Sequence, residues 1–283
     1  MKAILNGDLY EAEEVKISAI SAGVYYGAGC FETFRSYSGK FLHLDKHFGR
    51  LQRGLRWLGV PEDYEINSDE LRNEIRSLVA ENGLANKDAR VRIQVILREP
   101  AGYQIPDNLE VDRIITAEPI KAKEEPVNLC TVPTRTIPFI CRPPELKLSN
   151  MLHYRQAFRQ AQLKDCDDGL MLNRGGFISE TSISNIFWIK GNRIYTPSAA
   201  CDILPGIMRN VVIKLLNRMD SYEILEGEYQ SPEIDDADQV WLTNSVRGIR
   251  WVKEIDGQEY STSSDFRTEL ERAFESYKKE HLE

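Results

Sequence analysis

The chain sets short strand-like runs against amphipathic helical stripes, without a regular strand–helix–strand alternation. Ala3-Ile4-Leu5 and Leu9-Tyr10-Glu11 flank Asn6-Gly7-Asp8, a turn signal that predicts a hairpin. Residues 14–17 read as a further short strand. Residues 25–35 lead from a glycine pair into an aromatic-rich strand, and Ser38-Gly39 turns it back toward Phe41 and Leu42. Asp45 is placed to cap a helix whose apolar stripe is Phe48, Leu51, Leu55 and Leu58. Asn67-Ser68-Asp69-Glu70 has the form of a capping box ahead of Leu71, Ile75, Leu78 and Val79, with Gly83 as the stop. Residues 90–98 alternate, with Val91, Ile93, Val95 and Leu97 on one face and Arg92 and Arg98 on the other.

A charged stretch, residues 121–126, interrupts the pattern and reads as a linker, dividing the chain into domains 1–122 and 123–283. Beyond it, residues 127–140 are strand-like with proline punctuation, and Ser149 can cap a helix that runs to Lys164. Residues 169–172 and 177–179 flank a turn at 173–176, and residues 185–189 and 193–195 flank another at Gly191-Asn192. Leu204-Pro205-Gly206 opens a helix through Arg218. Residues 239–243 read as a strand and 264–280 as a final amphipathic helix. Strands and helices mixed in this way favour an α+β fold over a doubly wound sheet.

Composition narrows the function classes. With 36 Lys+Arg against 44 Asp+Glu, the net charge of −8 argues against a general nucleic-acid binder. The N-terminal residues lack a signal-peptide pattern, and no apolar run is long enough to span a bilayer, so a membrane partner is not expected. Cys30, Cys130, Cys141, Cys166 and Cys201 are scattered with no C-x-x-C pair, which suits reduced thiols in a cytoplasmic protein. His43 and His47 have helical metal-pair spacing, but Leu44 stands where H-E-x-x-H carries its glutamate, so no metal centre is expected. Phosphate-loop and nucleophile-elbow motifs are absent, and Gly27-Ala28-Gly29 reads as a tight turn.

The second half holds a better constellation. Lys147 ends a proline-rich run just ahead of the expected helix cap, Glu180 ends a hairpin strand, and Gly206 precedes a helix. A pyridoxal phosphate enzyme needs a lysine for its Schiff base and a carboxylate for the pyridine nitrogen. It also needs an anion pocket, for which exposed amides at a helix N-terminus are suited. Gly206 lets the backbone approach a phosphate, and Ile207 and Met208 supply first-turn amides.

Lys147-Leu148-Ser149-Asn150, residues 180–187, Tyr195-Thr196-Pro197 and residues 204–209 resemble the class IV aminotransferase family in order and spacing. Residues 31–35, residues 47–51 and Thr243-Asn244-Ser245 with Gly248-Ile249 agree. The family groups branched-chain aminotransferases, D-amino-acid aminotransferases and aminodeoxychorismate lyases. The resemblance implies a fold-type IV enzyme, an N-terminal α/β sandwich with a C-terminal pseudo-barrel domain carrying the catalytic lysine. It implies pyridoxal 5′-phosphate as cofactor, Lys147 as the Schiff-base and proton-shuttling lysine, and Glu180 on the pyridine nitrogen. Arg50 would take the phosphate with the amides of Ile207 and Met208 and the Ser245 hydroxyl. Tyr26 and Phe31 would line the substrate side, with Arg92 and Arg98 as candidates for the substrate carboxylate. Relatives are typically homodimers. The implied activity is amino transfer to a 2-oxo acid such as 2-oxoglutarate. A 4-amino-4-deoxychorismate lyase is the alternative on the same scaffold, and an inactive cofactor-binding or interaction protein the alternative of another class. Lys147-x-x-Asn150 and Gly206-Ile207-Met208-Arg209 lean toward the lyases, whereas Ala28 replaces an aspartate common in the lyases and D-amino-acid enzymes, so the subgroup stays open.

Overall fold

A computed structural model describes residues 1–61, 64–100, 102–106, 109–120 and 126–283. The expected linker therefore lies outside the described residues, apart from Pro126. The chain divides into two units. One is Met1–Ala122 with Leu146–Asn150 and His281–Glu283; the other is Lys123–Glu145 with Met151–Glu280.

The first unit is built on one antiparallel sheet. Strands β1 (Lys2–Leu5) and β2 (Asp8–Glu11) form the expected hairpin. Asn6 and Gly7 both take positive φ, 53° and 100°, the backbone that a tight two-residue hairpin requires. After a short 3-10 turn at Ala12–Glu14, where a strand over 14–17 was expected, comes the short helix α1 (Ala22–Tyr25). Next in the chain are β3 (Gly29–Tyr37), β4 (Lys40–Phe41), α2 (Leu44–Trp57), α3 (Ser68–Glu81), β5 (Ala89–Leu97) and β6 (Val111–Pro119). The sheet order is β2-β1-β6-β5-β3-β4. Leu44, Phe48, Leu51 and Leu55 of α2 and Leu71, Ile75, Leu78 and Val79 of α3 share one core with Phe34, Val91, Ile93, Val95 and Ile115. The stripes thus bury as their spacing predicts. The caps are mixed: Asn67 accepts from the Glu70 amide, but α2 starts from His43 in the left-handed region rather than from an Asp45 cap.

The second unit carries the pseudo-barrel. Its elements are β7 (Val127–Arg135), α4 (Leu152–Gln162), β8 (Asp168–Leu172), β9 (Ile178–Thr181), β10 (Asn185–Lys190) and β11 (Arg193–Pro197), then α5 (Ile207–Leu216), β12 (Glu223–Gly227), β13 (Gln239–Asn244), β14 (Gly248–Ile255), β15 (Gln258–Glu259) and α6 (Asp265–His281). The nine strands form one mixed sheet, ordered β12-β11-β10-β13-β14-β7-β8-β9 with β15 on β14. β9, at one end, also packs against β10 and β11, so the sheet curls back on itself. Alternation within β10, β13 and β14 explains two cores. Ile186, Trp188, Val240, Leu242 and Val252 fill one face. Phe187, Trp241 and Trp251 meet Val212 and Leu216 of α5 and Phe266 and Leu270 of α6 on the other. The architecture is α+β, as expected.

Three further local expectations differ from the structure. The strand expected over 127–140 ends at Arg135. The helix expected from Ser149 starts at Leu152 and has no side-chain cap. The Lys147 segment, expected in the second domain, groups with the first unit for a physical reason. The Phe31 amide donates to the Lys147 carbonyl and the Ser149 amide to the Gly29 carbonyl, both at 2.9 Å. The segment thereby joins β3 as an extra antiparallel strip, with a bridge between Cys30 and Leu148.

Gly29 makes this approach possible, because a Cβ there would lie 2.4 Å from the Val95 carbonyl oxygen and 3.0 Å from Ser149 Oγ. Gly29→Ala should therefore cost about 1–3 kcal/mol of stability through overpacking. Gly102→Ala, with open space around it, should change stability by no more than about 0.5 kcal/mol. Thermal melts of the two variants check this; equal melting temperatures would contradict the close approach.

Candidate functional site

The expected site residues fall in both units, and each set has its own local geometry. In the first unit, β3 places Phe31 and Thr33 on one face of the sheet and Glu32 and Phe34 on the other. Cross-strand register pairs Phe31 with Gln94 and Thr33 with Arg92, so Arg92 and Gln94 share the Phe31 face. Leu146 and Leu148 are buried in the core beneath the helices. Lys147, between them, points the other way. Its Nζ lies 4.7 Å from the Phe31 ring centroid, and the Arg92 guanidinium carbon lies 3.8 Å from the same centroid.

Not every expected substrate-side residue joins this group. Arg98 is engaged by two carboxylates, Asp112 at 2.6 Å and Glu110 at 3.0 Å. Tyr26 follows α1 as its C-cap, is 48% exposed and stacks on Tyr103 at 6.0 Å. Phe31 packs against both Lys147 and Arg92; Arg98 and Tyr26 have other partners.

On the helix-side face the structure supplies a partner that the sequence reading did not assign. Arg50, buried on α2, grips Glu32 with two hydrogen bonds, Nε to Oε1 at 2.5 Å and Nη2 to Oε2 at 2.8 Å. His47, one helical turn earlier, places Nδ1 2.6 Å from Glu32 Oε2. Burial pushes the Glu32 carboxyl up, but the Arg50 guanidinium and the two sets of hydrogen bonds outweigh it and hold it at about 2. Burial lowers His47 despite the pull of Glu32. The neutral ring therefore donates from Nδ1, and Arg50 carries the positive charge that balances Glu32.

In the second unit, Glu180 ends β9 with 4% exposure. The Leu204 amide donates to its Oε1 at 3.0 Å, the Tyr154 hydroxyl donates to the same oxygen, and Asn185 Nδ2 donates to Oε2 at 3.0 Å. Burial and then the Glu180 charge push the Tyr154 phenol well above its ordinary range, so Tyr154 stays a donor. Arg142 Nη2 reaches the Tyr154 oxygen at 3.3 Å. Asn185 Nδ2 also donates to the Leu204 carbonyl at 2.8 Å, tying the Glu180 cradle to the loop that opens α5. Gly206 is the N-cap of α5, with no side chain capping the helix. A Cβ at Gly206 would sit 2.3 Å from Asn185 Oδ1. Ile207 and Met208 are buried in the first turn. Ser245 follows Asn244, whose Oδ1 accepts from the Val246 and Arg247 amides and whose Nδ2 donates to Ser184 Oγ at 2.9 Å. Thr243, cross-strand from Asn185, is buried with no partner for its hydroxyl among the described residues.

Tyr154, Asn185 and Glu32 were not assigned roles from sequence. Asn185 and Glu32 lay inside quoted motifs, where their chemistry was visible and their partners were not. Tyr154 carries no motif signal. Among the described residues, no cluster of His, Cys, Asp and Glu is arranged to hold a metal, and no helix is long and apolar enough to cross a membrane.

The sandwich-like antiparallel unit and the curled mixed sheet are shared with known proteins. Residues 29–255 match the family model described as amino-transferase class IV, and the chain belongs to that family. It is similar to an aminodeoxychorismate lyase of Bacillus subtilis, 30% identical over 92% of this chain and 88% of the relative. It is also similar to a D-alanine aminotransferase of Listeria monocytogenes, 27% identical over 91% of this chain and 88% of the relative. Among solved structures, a branched-chain aminotransferase of Thermoproteus uzoniensis with norvaline superposes with a TM-score of 0.90 at 26% identity, covering 100% of this chain and 98% of that one. A branched-chain aminotransferase of Thermobaculum terrenum in its pyridoxal phosphate form shares the fold, with a TM-score of 0.87 at 20% identity and coverage of 100% and 97%.

Glu32→Gln removes the negative partner from a buried pair and should destabilise the protein by about 3–5 kcal/mol. The wild-type contribution has a defined pH window. Glu32 is depressed from 4.5 to about 2 on folding, so its stabilisation is present above pH 4.5 and is lost as pH falls toward 2. Acid denaturation followed by circular dichroism should show this component in the wild type and not in Glu32→Gln. Superimposable acid profiles would refute the assignment.

Proposed function

We propose that this chain is a pyridoxal-phosphate-dependent aminotransferase that moves an amino group from an amino acid, branched-chain donors among the candidates, to a 2-oxo acid such as 2-oxoglutarate. The observation that carries the reading is the buried Glu180 carboxylate, oriented by Tyr154, Asn185 and the Leu204 amide. The donor set fits the cofactor. A fixed carboxylate suits a protonated ring nitrogen, and an uncapped helix start with the unpartnered Thr243 hydroxyl nearby in the sheet suits a phosphate.

Pyridoxal phosphate, when bound, supplies an electron sink for the substrate carbon. The protein's own residues do the rest. Glu180 holds the ring nitrogen protonated. The amides of Ile207 and Met208 take the phosphate, with Gly206 allowing the approach and Ser245 adding a hydroxyl. Arg50 is the cationic phosphate ligand, its guanidinium fixed by Glu32. Lys147 holds the cofactor through Nζ and carries the proton to and from the substrate Cα. Phe31 and Tyr26 line the substrate side. Arg92 and Arg98 are the candidates for the substrate carboxylate, and the engagement of Arg98 with Asp112 and Glu110 favours Arg92. The reading includes a cytoplasmic homodimer.

The purified protein should show an absorbance band near the visible edge that Lys147→Ala abolishes. Absence of the band in wild type refutes cofactor binding. With the band present, a panel of L- and D-amino acids with 2-oxoglutarate should yield glutamate for at least one donor.

The second reading, a 4-amino-4-deoxychorismate lyase, draws on the Bacillus subtilis relative and on the Lys147-x-x-Asn150 spacing. Pyruvate release from aminodeoxychorismate with no oxo acid added would establish it over transamination. Failure of both assays in a protein that retains the band would favour a cofactor-binding protein without activity.

A further inference from the structure

Two thiols that the candidate site leaves unused come together in the second unit. Cys130, on β7, is 3% exposed and belongs to a buried cluster with Val132, Tyr154, Ala157, Ala161 and Met171. Cys166 follows α4, is half-buried and packs against that cluster.

The way α4 ends explains the meeting. Asp165 takes a left-handed φ of 56°. Its amide donates to the Gln162 carbonyl at 3.1 Å, and the Cys166 amide reaches back to the Ala161 carbonyl at 3.0 Å. This is the Schellman pattern of a helix terminus, which folds the residue after the left-handed one onto the last helical turn. Ala161 is fully buried in the Cys130 cluster, so a side chain folded onto that turn is delivered to Cys130. Lys164 holds the same turn against β7, its Nζ donating to the Thr131 carbonyl at 3.2 Å.

Within the pair the two sulfurs differ. The Cys130 thiol is hydrogen-bonded to Cys166, and the Cys166 thiol donates to the Lys164 carbonyl at 3.5 Å. Burial, and then the bond to Cys166, push the Cys130 thiol up, which keeps it protonated and slow to react first. Cys166 is the member of the pair that solvent reaches. The other thiols are placed differently: Cys30 and Cys201 are buried, and Cys141 is exposed beyond the end of β7.

We propose that Cys130 and Cys166 form an oxidative modification site, a dithiol that a hydroperoxide converts to an intrachain disulfide joining the end of α4 to β7. The Cys166 sulfur attacks the O–O bond, which breaks to give a sulfenic acid and an alcohol, or water where the oxidant is hydrogen peroxide. The Cys130 sulfur then displaces the sulfenic oxygen. The S–S bond forms as the S–O bond breaks, and the departing hydroxide takes the Cys130 proton and leaves as water. The two thiols together supply the two electrons that reduce one peroxide. A small thiol reopens the bond by exchange. None of this chemistry involves the cofactor, so it holds whether or not the aminotransferase reading does.

The test uses the full chain, reduced with dithiothreitol, freed of it, and treated while folded with a few equivalents of hydrogen peroxide. Acid quenching, alkylation of the remaining thiols in denaturant and non-reducing peptide mapping follow. The expected product is a cross-link between the Cys130 and Cys166 peptides, with the protein lighter by two hydrogen atoms, and dithiothreitol should reverse it. Cys130→Ala should stop at a Cys166 sulfenic acid that dimedone traps. Cys166→Ser should leave Cys130 reduced at the same dose. Circular dichroism checks that both variants fold, and the wild-type map with Cys166→Ser is sufficient should Cys130→Ala unfold. A wild-type protein in which Cys166 is oxidised while Cys130 stays open to alkylation overturns the assignment. So does a cross-link through Cys141, or one that appears only after unfolding.

Discussion

Two backbone hydrogen bonds fix the chemistry of the first unit, Phe31 N–H to the Lys147 carbonyl and Ser149 N–H to the Gly29 carbonyl, both 2.9 Å. They turn residues 146–150 into an antiparallel strip on β3, and a strip has a period of two. Leu146 and Leu148 are buried in the helix-side core, so Lys147 has only the opposite face open to it. A leucine on each side of the lysine is therefore a geometric device. Burying two apolar side chains, each worth about 1.5–3 kcal/mol, aims one amine over Phe31. Gly29 is the condition for it, since any side chain there would collide with Val95 and Ser149.

The same sheet separates two kinds of charge. On the helix side, Glu32 and Arg50 neutralise one another with His47 as a neutral donor, an arrangement that fixes the guanidinium in place. Across the sheet, Lys147 and Arg92 both lie against Phe31, and Arg92 has no described counter-ion. An alternating strand delivers both outcomes from adjacent residues, Phe31 to the ligand side and Glu32 to the balanced side. In the second unit Glu180 follows another rule. Tyr154, Asn185 and the Leu204 amide are neutral donors that orient the carboxylate.

What the sequence made legible follows the range of the interaction. The Asn6-Gly7 turn, the Asn67 cap and the alternation of residues 90–97 are settled within a few residues, and the structure shows each of them. The class IV family is read from ordered motifs, and the family match bears it out. Failures begin where a local rule meets a distant partner. Ser149 has the chemistry of a helix cap, yet its hydroxyl accepts from Gln94, fifty-five positions earlier, and the helix begins further on without it. Asp45 likewise loses the capping position to His43 in a left-handed turn. Glu32 and Arg50 were both visible inside motifs, but a strand–helix ion pair has no sequence period to betray it. β6 and β14 also passed without a clear signal, since their patterns are set by neighbours on both sides.

Relatives named for lyase and for aminotransferase chemistry each align with about nine-tenths of this chain at similar identity. A scaffold common to both names cannot itself select the reaction, and neither can the parts that every pyridoxal enzyme of this kind needs, a lysine and a ring-nitrogen carboxylate. Selection must lie with side chains that face the substrate and differ between subgroups. Ala28, the position where the chain departs from the subgroup pattern, packs against the core that α2 and α3 share with the sheet.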